Sequence, residues 1–107
     1  MSPVVHQPRV AWDFVRVLIA VAASGEDLFV WFSARIGEVL GTPYRRHLYD
    51  TRVRLGGAAR VEARDAEMGL WRARLEDALR DDPTLADDLR LLRLDARARL
   101  GAAERLA

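Results

Sequence analysis

Apolar residues recur at three- and four-residue steps along most of this chain, the spacing that puts side chains on one face of an α-helix. The clearest stretch spans residues 71–92 and its flanks. Met68, Trp71, Leu75, Ala78 and Leu79 form one stripe; after a corner, Leu85, Leu89, Leu92 and Ala96 form another. At that corner Asp82 can accept hydrogen bonds from free backbone N–H groups, and Pro83 suits a first helical position, where no donor is needed. The pattern predicts two antiparallel amphipathic helices with Trp71 as the central core residue.

Upstream, residues 1–7 predict an extended lead-in. Pro8 suits a first turn, and Ala11, Phe14, Leu18 and Val21 or Ala22 supply a helical stripe. Val15, Val17, Ile19 and Val21 also alternate as a strand would. A lone strand would have no partner, so a helix is preferred. Ser24 and Asp27 have the spacing of a capping box, starting a second helix that Gly41 ends after Leu40. Its inward positions are Leu28, Phe32, Ile36 and Val39 or Leu40. Thr42-Pro43 repeats the cap-then-proline logic for a third helix, with Tyr44, Leu48, Thr51 and Leu55 inward. Gly56-Gly57 costs about 1 kcal/mol per glycine inside a helix, which predicts a break there and a fourth helix established between Ala58 and Ala63. One bent helix from Pro43 to Arg80 is the alternative. The fourth helix also carries Val61 on its expected apolar stripe. The fifth is expected from Pro83 to Leu100, with Gly101 as its stop and 101–107 frayed. Glu76–Arg80, Asp50–Arg54 and Asp95–Arg99 have the spacing of favourable ion pairs. The sum is an all-α, antiparallel bundle of four to five helices, a single helical domain over 1–107.

Composition narrows the function classes. The chain has 107 residues, enough for one core without staples, and its lack of Cys excludes disulfides and thiolate metal sites. All positive charge is Arg, balanced by 16 acidic residues to a net charge of +1. A nucleic-acid binder concentrates positive charge on one face, so this mixture argues against that role in general. Residues 14–23 resemble the apolar part of a signal peptide, but Asp13 precedes them and Arg16 interrupts them. The run is also shorter than the about 20 residues a bilayer span needs. A cytoplasmic protein is expected.

Candidate chemistry is sparse. His6 and His47 lie far apart, and Ser2, Ser24 and Ser33 lack a nucleophile-elbow context. A hydrolytic site would need Ser33, His47 and an Asp to converge. Asp81, Asp82, Asp87 and Asp88 fit a capped helix start better than a cluster of oxygen ligands on one cation. No catalytic residue, metal, cofactor or small-molecule substrate is therefore expected.

Two surfaces remain. Val15, Val17, Leu18, Ile19 and Val21 wrap most of the first helix, and Leu28, Phe29, Val30, Trp31 and Phe32 wrap the start of the second. A helix apolar on all sides is central in its bundle or covered by a partner. The second option predicts an interface of Val15, Ile19, Phe29, Val30 and Trp31, for self-association or a partner protein. The other surface is Arg45, Arg46, Arg52 and Arg54 on the third helix. Arg45 and Arg46 lie near its N-terminus, where anions are favoured. This surface predicts, as the alternative function, a peripheral binder of nucleic acid or anionic membrane.

The corner segment, Trp71-x-x-Arg74-Leu75-x-x-x-Leu79-x-x-Asp82-Pro83-x-x-Ala86-x-x-Leu89-x-x-Leu92, resembles small helical segments of uncharacterised actinobacterial proteins. Such segments look like adaptor or effector-associated modules. The resemblance is a packing pattern covering about a fifth of the chain, and it carries no functional residues. It implies a helical adaptor or effector-associated module, and with no catalytic constellation in the chain the expected function is a non-enzymatic interaction module.

Overall fold

The computed structural model describes residues 7–57 and 60–106. His6, most of the expected lead-in, the expected helix start at Ala58 and the last residue of the tail lie outside them. Among the described residues the fold is a bundle of five α-helices: α1 (Gln7–Ala22), α2 (Glu26–Leu40), α3 (Thr42–Leu55), α4 (Arg60–Asp81) and α5 (Leu85–Leu106).

The core resolves the ambiguity of the first helix. α1 packs against α4 and α5 and also touches α2 and α3, so it is the central element. Its apolar residues point in several directions because neighbours stand in several directions, and Phe14, Val15, Leu18 and Val21 are fully buried. The strand-like alternation within it is a by-product of that wrapping. Phe14 stacks on Phe32 of α2 with ring centroids 5.9 Å apart. Trp71 is fully buried, as its stripe predicts, and packs among Leu75, Leu79 and Leu48 in one continuous core.

The helix ends differ from expectation in instructive ways. Ser24 does not cap α2; its hydroxyl donates to the Val21 carbonyl at the end of α1, at 2.6 Å, and Gly25 takes the cap position without a side-chain bond. α1 has no basic residue in its last turn. Arg52 of α3 supplies one, donating to the carbonyls of Ala22 at 3.0 Å and Ser24 at 2.8 Å, which satisfies orphan acceptors at the helix end. Thr42 is likewise inside α3 rather than its cap. Gly41, at φ 102°, closes α2 through its N–H to the Gly37 carbonyl and opens α3 by accepting from the Tyr44 N–H. Such a φ suits glycine, and this one-residue corner folds α3 back along α2.

α3 stops at Gly56-Gly57, and α4 is a separate helix from Arg60. The first turns of α4 are exposed and Val61 is 74% exposed, so it does not join the core stripe. At the second corner the Asp82 carboxylate accepts from the Thr84 N–H and hydroxyl. α5 starts at Leu85 and runs through Gly101 to Leu106; a lone helical glycine weakens but does not end it. Of the expected ion pairs only Asp95–Arg99 forms, at 3.1 Å. Arg80 pairs with Asp77, Glu76 lies by Arg72, and Arg54 turns inward to Glu67.

Candidate functional site

The five residues expected to form an apolar interface separate in the fold. Val15, Ile19 and Phe29 belong to the core, buried by the subunit itself. Trp31 is half-buried, and the Arg99 guanidinium of α5 covers its ring 3.9 Å from the centroid. Val30 alone is exposed. The α1–α2 hairpin therefore offers no continuous sticky surface: its greasiness is consumed by α3, α4 and α5.

The four arginines expected to bind anions also separate. Arg52 reaches the end of α1 and lies over the Phe29 ring at 4.5 Å, a cation–π contact. Arg54 makes two hydrogen bonds of 2.9 Å to the Glu67 carboxylate. Arg54 is the one of the four with an acidic partner, and Arg45 and Arg46 engage neither a carboxylate nor a backbone carbonyl among the described residues. Arg45 is held in place, its stem beside Gly37 and its Nε donating to the buried Ser33 hydroxyl at 3.3 Å.

What the fold does assemble is a face shared by α2 and α3. Val30 is 56% exposed, Tyr49 62% and Val53 65%. Two shallow clefts, of about 450 and 420 Å³, meet at Phe29, Val30 and Tyr49. Arg45, Arg46 and Asp50 line one cleft; Glu26 and Val53 line the other. The local cause is plain in α3. Leu48, Thr51 and Leu55 face inward, so Arg46, Tyr49, Asp50 and Val53 fall on the opposite arc. Tyr49 leans toward α2, its ring 6.2 Å from that of Phe29. Leu91 and Leu94 of α5 are also exposed, but acidic and basic neighbours at Asp87, Arg90 and Asp95 interrupt them. Scattered exposed leucines of that kind are ordinary.

Beneath this face lies a buried polar relay. The Trp71 indole N–H donates to the Thr51 hydroxyl at 2.7 Å, and that hydroxyl lies 2.6 Å from Glu67 Oε1 and 3.0 Å from the His47 carbonyl. One hydroxyl proton serves one acceptor, and the nearer, charged carboxylate is the stronger. Burial alone would raise the Glu67 pKa, yet hydrogen bonds from Arg54 and Thr51 together hold it below its usual value. The same pairing raises that of Arg54. His47 is lowered, first by burial and then by the positive charge of Arg74.

Ser33 and His47 do not join in a hydrolytic arrangement. The Ser33 hydroxyl accepts from Arg45, and the His47 ring meets Tyr44 edge-on at 6.1 Å. Among the described residues no group of three or more His, Asp or Glu side chains is placed to hold a metal ion. No described helix is long and apolar enough to cross a membrane.

No protein-family model, curated protein or solved structure matches this chain. The geometry alone must carry the functional reading. Neither Tyr49 nor Val53 is among the residues the sequence pattern marks as an apolar interface, although a signal existed: two large side chains, four residues apart, opposite an already complete inward stripe. The relay had a weaker signal, Thr51 as the one polar member of that stripe and Glu67 one turn before Trp71.

Proposed function

We propose that this is a non-enzymatic helical interaction module of the cytoplasm that self-associates through the α2–α3 face. One observation carries the reading: Val30, Tyr49 and Val53 stay exposed on adjoining helices, over clefts shared by both, while the other large apolar side chains of α1–α3 are wholly or partly covered. A continuous apolar patch rimmed by polar groups marks an interaction surface more often than scattered residues do. The adaptor character implied by the corner segment fits the same face, since a helix of another protein would meet the same side chains.

An anion-binding role is the weaker reading because Arg52 and Arg54 are engaged within the subunit. The test is sedimentation velocity on matched surface variants. Tyr49→Asp should abolish concentration-dependent association, and Leu91→Asp, equally exposed on α5, should leave it unchanged. Equal effects from both, or none from Tyr49→Asp, would remove the α2–α3 face from consideration.

A further inference from the structure

The occupant of this face can be named from its charges, granted the self-association just proposed. Arg46 and Asp50 are both exposed on the outward arc of α3, one turn apart, and neither has an ion-pair partner within the subunit among the described residues. Tyr49 lies between their levels and Val53 follows one turn on. Such a row is complementary to itself when reversed. The geometry points to a symmetric dimer in which α3 of one copy crosses α3 of the second copy antiparallel, about a two-fold axis midway between residues 46 and 50.

The symmetry dictates the contacts. In an antiparallel pair centred at that level, Arg46 of each copy stands opposite the partner's Asp50, giving two reciprocal ion pairs about 6 Å apart along the helix. The two Tyr49 rings fall between those pairs, less than one turn apart, where they exclude water from both. Val53 of each copy reaches over the start of the partner's α3, and Val30 on α2 widens the apolar strip. A parallel crossing would instead set Arg46 against Arg46 and Asp50 against Asp50. Like charges in contact disfavour that arrangement, so charge selects the antiparallel one.

The face is small. α3 is 14 residues long, about 21 Å, and only its outward arc and the edge of α2 are available. Stable dimers bury about 800 Å² per partner, so this contact belongs with the small, transient interfaces. It is a reversible contact set by local concentration.

Charge exchange tests the register separately from the face. Arg46→Asp makes both positions acidic, and Asp50→Arg makes both basic. Each variant alone, at an exposed position and with an unchanged melting curve as the folding control, should lose at least tenfold in self-association. Mixing the two should restore it, because each heterodimer regains both ion pairs. Sedimentation of one labelled variant titrated with the other reads this directly. Wild-type protein that dimerises, loses dimerisation in Tyr49→Asp, yet is indifferent to both exchanges would overturn the two-fold register and leave the face intact. Wild-type protein that stays monomeric to about 1 mM would overturn the face and the register together.

Discussion

Thr51→Val preserves the shape of a buried side chain while deleting one hydroxyl, and so isolates the relay that joins α3 to α4. In the native fold that hydroxyl accepts from Trp71 Nε1 at 2.7 Å and stands 2.6 Å from Glu67 Oε1. Without it the indole N–H, on a fully buried ring, has no acceptor, a loss of about 1–3 kcal/mol. Glu67 keeps both bonds from Arg54 but loses a donor to its charged oxygen, and the two losses share a site, so their sum falls at about 2–4 kcal/mol. For a domain of this size that lowers the melting midpoint by roughly 10–25 °C. Urea unfolding followed by far-UV circular dichroism measures the difference, with the slope unchanged. Combining the substitution with Trp71→Phe, which removes the orphaned donor, should be less costly than the two separate losses by about 1 kcal/mol. A loss for Thr51→Val below about 0.5 kcal/mol, or strict additivity in the double variant, would refute the relay.

Two further outcomes follow from the same contacts. The Glu67 carboxyl ionises at lower pH in the fold than in the unfolded chain, whose value is near 4.5, so its stabilisation is complete above that pH and is lost as pH falls through the folded value. Glu67→Gln should flatten this acid limb, measured as urea midpoint against pH; an unaltered limb would assign it elsewhere. Arg52→Ala removes donors to the end of α1 and the cation over Phe29, at a cost of about 1–2 kcal/mol by the same assay. Arg52→Lys should recover only part of it, because a compact ammonium cannot donate to both carbonyls, as Nη1 does, and also set a delocalised cation over the Phe29 ring. Full recovery would show that charge alone acts there.

The helices and their inward stripes were legible because each is written in its own periodicity. Phe32, Leu48, Trp71, Leu75 and Leu89 all occupy the core positions their spacing implies. The corner at Asp82-Pro83 and the break at Gly56-Gly57 were legible for a similar local reason. What periodicity cannot carry is which of several helices stands in the middle. α1 and α2 looked adhesive because their apolar residues exceed one stripe, and only the packing of α4 and α5 on α1 shows where that excess goes. Val61 failed in the opposite sense: it has the right phase on α4, but stays exposed at the rim of a cleft with Ile19, Ala20 and Leu55. The arginines of α3 show a third limit. Arg45, Arg46, Arg52 and Arg54 look equivalent in sequence, yet two are drawn inward by acceptors on other elements, the end of α1 and Glu67.

Self-association through the α2–α3 face is tested most directly by the weight-average mass of the wild-type protein across a concentration series, from about 5 μM to about 1 mM. The mass should rise from the 12.1 kDa of one chain toward twice that value, with Tyr49→Asp held at the lower figure throughout. A wild-type mass fixed at 12.1 kDa over the whole range would contradict it.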